Sequence, residues 1–255
     1  RRTTPVSTTF AGKVAVVTGG TRGIGYAIVK KYVEAGAVTI LCGSREETAT
    51  KALDKIKTEC PEAKVEAIWP NLSDRAEVTQ AFRSIKEKYG SLDILANNAG
   101  ISQNTPLFDY KDEDFDKILD LNIKALYSCS RAAAEIMKEQ GGGVIINTSS
   151  IVSFNGQGSG CGYPTSKFAV NGLTKSLSRE LGRYNIRVNA VAPGVTRTDM
   201  VAVLPDEMIK PIIKNIPLGR MAEPEDIANA FLFLASDLAS YISGAILPVA
   251  GAVVI

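Results

Sequence analysis

Tyr163 and Lys167 are a pair of residues whose types and spacing suggest proton transfer. They lie four positions apart, so on a helix they would share one face. A free tyrosine titrates near pH 10, and a cation about one turn away favours the phenolate and lowers that pKa towards neutral pH. A lone pair of this kind is usually a surface pair, but Ser150 lies thirteen residues upstream, at the end of a predicted strand. Open α/β sheets bind ligands at such strand ends, so the three residues predict an acid–base site.

A glycine-rich turn follows the first predicted strand. Residues 18–25 read TGGTRGIG and run directly into a predicted helix. Glycine is needed where the backbone approaches a pyrophosphate, and a helix N-terminus adds free N–H groups and a positive dipole end. A glycine string alone could be a tight turn that binds nothing, but its position between strand and helix predicts a dinucleotide site. The residues concerned are Gly19, Thr21, Arg22, Gly23, Ile24 and Gly25.

Predicted strands and helices alternate along the chain. The strands are short, apolar and β-branched, as buried parallel strands are. They lie within residues 13–19, 37–43, 64–69, 91–100, 142–150, 185–193 and 245–251, and the helices over 23–35, 46–60, 73–89, 112–140, 164–183 and 223–235. This alternation predicts a single-domain, Rossmann-like α/β fold with a doubly wound parallel seven-stranded sheet flanked by helices.

Two segments are expected to lie outside this framework. Residues 1–9 are predicted to be a flexible arm before a domain over residues 10–255. The long irregular stretch over residues 194–220 contains three prolines and predicts a substrate lid. Its apolar residues favour a hydrophobic carbonyl substrate, although they could instead pack the lid down or form a subunit contact. These residues are Met200, Val201, Val203, Leu204, Met208, Ile212 and Ile213.

Composition excludes several classes of protein. The chain has no histidine, which excludes Ser-His-Asp and Cys-His nucleophiles and histidine-built zinc sites. Its four cysteines form no C-x-x-C pair, so we expect reduced thiols in a cytoplasmic protein and no metal site. A net charge of +2 gives no basic surface for nucleic acid. No apolar run reaches the ~18–20 residues of a spanning helix, so no membrane span is predicted.

Taken together, the motifs resemble the short-chain dehydrogenase/reductase family. They are residues 18–25, Asn97-Asn98-Ala99-Gly100, Asn122, Ser150, Tyr163-x-x-x-Lys167 and Pro193-Gly194, at the family's separations. The resemblance extends from residue 10 to the C-terminus. It implies an oxidoreductase that interconverts a secondary alcohol and a ketone by hydride transfer, with the hydride chemistry carried by a nicotinamide cofactor.

The resemblance also implies a role for each catalytic residue. Tyr163 would exchange a proton with the substrate oxygen, and Ser150 would hold that oxygen. Lys167 would bind the nicotinamide ribose and keep the tyrosine pKa low. Asn122 would sit in the middle of a helix and hold a water that relays protons from Lys167. Ser149, fourteen residues before Tyr163, is the second choice for the serine.

Further cofactor contacts follow from the same resemblance. Asn98, Ala99 and Gly100 would lie against the adenosine ribose. Val195 and Thr196, which follow Pro193 and Gly194, would contact the nicotinamide carboxamide. Thr198 is a candidate for a phosphate contact. After the third strand, Asn71 and Leu72 stand where the family usually has an Asp that contacts adenine. An amide can still accept a bond from the adenine amino group.

The end of the second strand predicts the cofactor type. Enzymes that prefer NAD place an Asp or Glu there, which accepts a bond from the ribose 2′-hydroxyl. Here that position is Gly43, followed by Ser44 and Arg45, which suit a phosphate. Arg22 is a second cation on the same side. We therefore expect NADP(H) rather than NAD(H); the alternative is that both arginines are solvated surface charges.

The substrate is the least determined part. The segments SGCGYPTSK, VAPGVTRTDM and PEDIANAFLFLASDLAS most resemble bacterial hydroxysteroid dehydrogenases acting on bile acids, and also 3-oxoacyl-carrier-protein reductases. The reductases hold their acidic carrier with basic residues where this chain has Glu135, which favours a steroid or other bulky ketone. A non-catalytic dinucleotide sensor is disfavoured because all four catalytic residues are present. The resemblance also implies a homotetramer or homodimer through helices 112–140 and 164–183, with the tail over residues 248–255 at a subunit contact.

Overall fold

Seven parallel strands form one sheet in the computed structural model, which describes residues 9–198 and 206–253, with the backbone alone at residues 206–209. The strands are β1 Val14–Thr18, β2 Val38–Cys42, β3 Val65–Ile68, β4 Ile94–Asn97, β5 Gly143–Thr148, β6 Ile186–Pro193 and β7 Ile246–Val249. They are ordered β3-β2-β1-β4-β5-β6-β7, and every neighbouring pair is parallel. The predicted doubly wound α/β sheet is confirmed.

Helices cover both faces of this sheet. They are α1 Gly23–Glu34, α2 Glu46–Glu59, α3 Arg75–Tyr89, α4 Asp112–Leu119, α5 Leu126–Gln140, α6 Val152–Asn155, α7 Gly162–Leu181, α8 Asp206–Lys214 and α9 Pro224–Ala235. One apolar core lies between the sheet and α1, α2 and α9, and a second lies under α3, α5 and α7. Within the described ranges, no helix combines the length and apolar character needed to cross a membrane.

The position of the ligand crevice follows from the strand order. The chain adds strands in one direction from β1 to β3 and then restarts at β4 on the other side of β1. Loops after β1 and β4 therefore diverge at the carboxyl edge of the sheet and leave a crevice between them. The glycine turn follows β1, and the segment Asn97–Gly100 closes β4, so both motifs reach this crevice.

Residues 112–140 form the long helical region that the sequence predicts, with one irregular turn inside it. A π-helical turn, Asp120–Ala125, separates α4 from α5. Asn122 lies in this turn, where its Oδ1 accepts a bond from the Ile101 N–H (2.9 Å) and its Nδ2 donates to the Ile101 carbonyl (2.9 Å). The apolar periodicity of a sequence does not register a wider turn of this kind, which is often found at functional sites.

The predicted lid is only partly irregular. Helix α8 lies within residues 194–220 and has Pro211 inside it, which is why the sequence did not indicate a helix there. Ile212 and Ile213 pack against Ile216 and Met221 in a small separate cluster. Of the other apolar lid residues, Met200, Val201, Val203 and Leu204 fall outside the described residues, as does the side chain of Met208. The arm is likewise undescribed up to residue 8.

Candidate active site

The glycine turn is packed so closely that a side chain would break it. A Cβ at Gly25 would lie 2.0 Å from the Gly19 carbonyl oxygen and 2.6 Å from Asn98 Nδ2. Gly19 itself has a φ of 65°, which favours glycine. The segment after β4 supports the turn, because the Thr18 hydroxyl accepts bonds from the N–H groups of Asn98 (3.0 Å) and Ala99 (3.1 Å). The turn and the Asn98 segment therefore form one rigid unit.

A cleft of about 610 Å³ opens over this unit at the carboxyl edge of the sheet. The sequence-predicted residues that line it are Gly19, Thr21, Arg22, Gly23, Ile24, Gly25, Ser44, Asn71, Leu72, Asn98, Ala99, Gly100 and Thr198. The lining residues that the sequence did not single out as contacts are Cys42, Gly43, Trp69, Pro70, Ser73, Glu77, Ile101 and Leu121. Cys42 ends β2 and Trp69 follows β3, so their places at strand ends were the signal that could have found them.

The cations expected beside the cofactor differ in position. Arg22 is exposed and lines the cleft together with Ser44. Arg45 is also exposed but does not line the cleft; it precedes α2, and its carbonyl accepts a bond from the Thr48 hydroxyl. A Cβ at Gly43 would lie 2.8 Å from Thr21 Cγ2, so this position accepts a side chain only if a neighbour moves. Arg22 and Ser44 therefore line the same cleft, and Arg45 does not.

The cleft fits the nicotinamide dinucleotide that the glycine turn implies. Helix α1 begins at Gly23 with no acidic residue in its first turn, so its N–H groups and dipole are available to a pyrophosphate. Gly100 leaves room where a Cβ would lie 3.1 Å from Asn122 Oδ1. The turn residues would hold the phosphates, and Ser44 and Asn71 would lie towards the adenosine.

Ser150, Tyr163 and Lys167 come together at the same edge of the sheet. Tyr163 lies in the first turn of α7, and it lines the same cavity as Ser150, which lies just beyond β5. Lys167 Nζ lies 5.6 Å from the centre of the Tyr163 ring and donates to the Thr148 carbonyl at 2.8 Å. The backbone of β5 therefore fixes the lysine beneath the tyrosine ring.

The electrostatics of these groups differ from the sequence expectation. Burial raises the pKa of Tyr163, and the hydrogen bond with Ser150 partly offsets that rise. Burial lowers the pKa of Lys167 to about 8. The lowering of the tyrosine pKa expected from Lys167 is not found, because burial of the phenol dominates its pKa. Between about pH 8 and the raised pKa of Tyr163, both side chains are therefore neutral.

Asn122 and Ser149 have partners within the protein. Besides its two bonds to Ile101, Asn122 Nδ2 donates to Ser166 Oγ at 3.0 Å. Both amide hydrogens of Asn122 are thus used. A relay water at Asn122 would therefore have to donate a hydrogen bond to an oxygen atom of this residue. Ser149 Oγ is buried and lies 2.6 Å from Asn171 Oδ1, within the structural packing of α7. This arrangement favours Ser150 over Ser149 as the serine that meets the substrate.

A second cavity of about 550 Å³ adjoins the cleft through Ile24, which lines both. Its other lining residues are Ser102, Gln103, Asn104, Thr148, Ser149, Ser150, Gln157, Tyr163, Pro193, Gly194, Val195 and Thr196. Of the predicted contacts at and after the end of β6, residues 193–196 therefore lie beside Tyr163, whereas Thr198 lines the larger cleft. In the part of the chain that the structure describes, the wall combines apolar groups with hydroxyl and amide side chains and carries no charged side chain. The expected apolar lid stays a prediction, because five of its seven side chains lie outside the described residues, while Ile212 and Ile213 pack in a separate cluster.

Comparisons with known proteins agree with this geometry. The family model described as enoyl-(acyl carrier protein) reductase matches residues 19–252. A 3α-hydroxysteroid dehydrogenase from Mediterraneibacter gnavus is 65% identical over 240 residues, covering 94% of this chain and 96% of the relative. A 3-oxoacyl-[acyl-carrier-protein] reductase FabG from Thermotoga maritima is 37% identical, covering 96% and 98%.

Solved structures give the same result for the fold. A 7α-hydroxysteroid dehydrogenase complexed with NADH and 7-oxo glycochenodeoxycholic acid superposes with a TM-score of 0.91 at 33% identity, covering 97% of this chain and 96% of that one. The family model covers most of the chain, and the relatives align over nearly their full lengths. The chain therefore belongs to the short-chain dehydrogenase/reductase family of oxidoreductases.

Proposed function

We propose that this protein is an NADP(H)-dependent hydroxysteroid dehydrogenase, which interconverts a secondary alcohol and a ketone on a bile-acid-like steroid. The observation that carries the proposal is the placement of Ser150 and Tyr163 in one cavity wall beside the buried Lys167, where the dinucleotide cleft meets the second cavity. The 65% identity to a 3α-hydroxysteroid dehydrogenase supports the steroid substrate.

The residues at this junction supply the proton and the positioning. The nicotinamide, when bound, supplies or accepts the hydride. In reduction, Tyr163 donates its phenolic proton to the carbonyl oxygen as that oxygen gains negative charge, and Ser150 donates a hydrogen bond to the same oxygen. Lys167, held by the Thr148 carbonyl, would bind the nicotinamide ribose and stabilise the phenolate that remains. Oxidation of the alcohol uses the same groups in reverse.

The preference for NADP(H) is supported by charge at the adenosine end of the cleft. Gly43 carries no carboxylate to repel a 2′-phosphate, and Arg22 and Ser44 both line the cleft. We expect Arg22→Ala to lower the ratio of kcat/KM for NADPH over NADH by about 10-fold, the effect of one charge-assisted hydrogen bond. Arg45→Ala is the matched control, because Arg45 lies outside the cleft lining. A wild-type ratio of one or less would contradict the preference, and an equal ratio in wild type and Arg22→Ala would contradict the role of Arg22.

A 3-oxoacyl-carrier-protein reductase is the second candidate, favoured by the FabG relatives at 37–39% identity. Such an enzyme needs a basic surface for its acidic carrier. On α5, Glu135 accepts a hydrogen bond from Arg131 Nε at 3.2 Å, so the positive charge of Arg131 is paired with a carboxylate there. That pairing supports the steroid substrate.

A single comparison of substrates tests the proposed function. NADPH oxidation is followed with a 3-keto bile acid and with an acetoacetyl thioester at matched concentrations. Turnover with the keto steroid and not with the thioester is expected. Turnover with the thioester alone would establish the second candidate, and cofactor binding without turnover on either would favour a dinucleotide sensor.

We also propose that the protein is a cytoplasmic homodimer or homotetramer. The exposed Phe168 on α7 supports a contact along the helices that the family uses for assembly. Light scattering should give a mass of two or four chains of 27.2 kDa.

A further inference from the structure

Two loops that wall the second cavity are joined by one side chain at its rim. Gln157, in the loop between α6 and α7, donates from Nε2 to the carbonyl oxygens of Gln103 (3.0 Å), Ser159 (2.5 Å) and Gly160 (2.8 Å). The first acceptor belongs to the loop after β4, and the other two belong to the glutamine's own loop. A single carboxamide thus connects loops that are 54 positions apart in the sequence.

The packing of the same loops supports this connection. The Ser159 hydroxyl donates to the Asn104 carbonyl at 2.5 Å. Gly160 has a φ of 77°, and a Cβ there would lie 2.5 Å from both Asn104 Cα and the Gln103 carbonyl oxygen. The loops therefore touch backbone to backbone at Gly160.

The contact determines the shape of the cavity. Ser102, Gln103 and Asn104 line it from one loop, and Gln157 lines it from the other. If the loops separated, this wall would lose its fixed shape, whereas Ser150 and Lys167 would keep theirs, because β5 and α7 hold them independently. A rigid, bulky ketone needs a preformed wall, and a small ketone does not.

We propose that Gln157 is a positioning residue that selects bulky ketones by locking the loop after β4 onto the loop before α7. The inference rests on the proposed function for its substrate, but the lock itself is a property of the two loops. Gln157 does not take part in proton or hydride transfer. It acts by holding the wall against which the part of the substrate remote from the carbonyl lies.

Gln157→Met tests the proposal, since methionine has similar size and no N–H donor. We expect KM for the 3-keto bile acid to rise by about 10-fold, which corresponds to about 1.4 kcal/mol, with kcat within about 2-fold. The kcat/KM for cyclohexanone and the Kd for NADPH should stay unchanged. Gln157→Glu, which also lacks the donors and adds a charge near three carbonyls, should raise KM further.

The chain offers a matched control at the opposite edge of the sheet. Gln140 Nε2 donates to the Leu92 (2.8 Å) and Gly142 (3.1 Å) carbonyls, and its Oε1 accepts from the Leu92 N–H (3.2 Å). Gln140→Met removes a comparable set of bonds far from the cavity. It should lower thermal stability without changing KM for either ketone, which separates a local effect from general loosening.

Amide hydrogen exchange provides a readout that needs no substrate. Exchange at residues 101–104 and 156–160 should speed up in Gln157→Met and not in Gln140→Met. Unchanged exchange in these loops, or equal KM changes for the bulky and the small ketone, would overturn the proposal. If the wild type fails to reduce the keto steroid while the loops still loosen in Gln157→Met, the lock stands and the proposed substrate is wrong.

Discussion

The two edges of the sheet carry cavities of similar size and different chemistry. The carboxyl edge has the cleft of about 610 Å³ and the cavity of about 550 Å³, and the amino edge has a cavity of about 600 Å³. At the amino edge, Asp93 accepts bonds from the Val14 N–H (2.8 Å) and the Ser91 hydroxyl (2.7 Å). Arg187 there donates to the carbonyls of Ser236 (3.3 Å) and Ile242 (3.3 Å).

The comparison shows that cavity volume alone does not identify the site. The charged groups of the amino edge are bound to backbone and side chains of the protein itself, so they hold the fold together. At the carboxyl edge, the start of α1 presents N–H groups without an acidic side chain, and the Ser150–Tyr163 pair faces a cavity. The direction of the parallel strands, which places loops of different strands together at one edge, makes the difference.

The largest expected effect is the loss of the tyrosine hydroxyl. Tyr163→Phe should reduce kcat by about 10²–10⁴-fold, because among the described residues that line this cavity only Tyr163 carries a phenol that could protonate the substrate oxygen. The Kd for NADPH, measured by calorimetry, should change by less than about 2-fold. Tyr184→Phe, next to the amino-edge cavity, is the matched control and should keep wild-type turnover. Substantial turnover in Tyr163→Phe would contradict the assignment of proton transfer to Tyr163 at the carboxyl edge.

A smaller effect is expected from a methyl group in the glycine turn. Gly25→Ala places a Cβ 2.0 Å from the Gly19 carbonyl oxygen, so the turn must shift. Overpacking of this kind costs about 1–3 kcal/mol, and NADPH affinity should fall by about 10- to 100-fold. Gly182→Ala, at a helical position where a Cβ meets nothing within 4 Å, should leave affinity unchanged and raise the melting temperature slightly. Equal affinities in the two variants would contradict the assignment of the turn.

The effect expected last concerns stability rather than activity, and it is a change in the pH dependence of stability. The pKa of Lys167 falls from 10.5 to about 8 on folding, so between these values the unfolded chain binds more protons than the folded one. Stability therefore rises with pH from about 8 to 10, by at most about 1.4 kcal/mol per pH unit from this group. Above pH 10 the raised pKa of Tyr163 acts in the opposite direction.

Urea denaturation at pH 8, 9 and 10 measures this slope. The wild type should become more stable relative to Lys167→Met as the pH rises across this window, because the methionine variant lacks the titrating group. A difference in unfolding free energy that is independent of pH would mean that Lys167 is not held in the buried state seen here.

The framework of the site could be predicted from the sequence because each part of it is local. The turn over residues 18–25 is recognisable from its closely spaced glycines. Tyr163 and Lys167 are one helical turn apart, and Ser150 lies at a strand end. Their meeting follows once the strands are known to be parallel. The π-helical turn at Asn122 could not be predicted, since Asn122 is held there by hydrogen bonds to the distant Ile101 backbone.

The substrate side was less predictable for a physical reason. Its wall is formed by contacts between the loop after β4 and the loop before α7, and such contacts leave no periodic signal. Gly160 is required by the approach of Asn104 rather than by anything in its own segment. At the lid, Pro211 suggested irregular structure, whereas α8 forms and packs Ile212 and Ile213 into a separate cluster.

Amide hydrogen exchange with and without NADPH tests the central claim most directly, because it examines both edges of the sheet in one experiment. Bound cofactor should slow exchange at residues 19–25, 43–44 and 98–100, where backbone N–H groups line the cleft. Residues 10–13 and 140–143 at the amino edge should exchange at the same rate in both samples. Slowing at the amino edge, with none at residues 19–25, would contradict the assignment of the carboxyl edge as the site of dinucleotide binding.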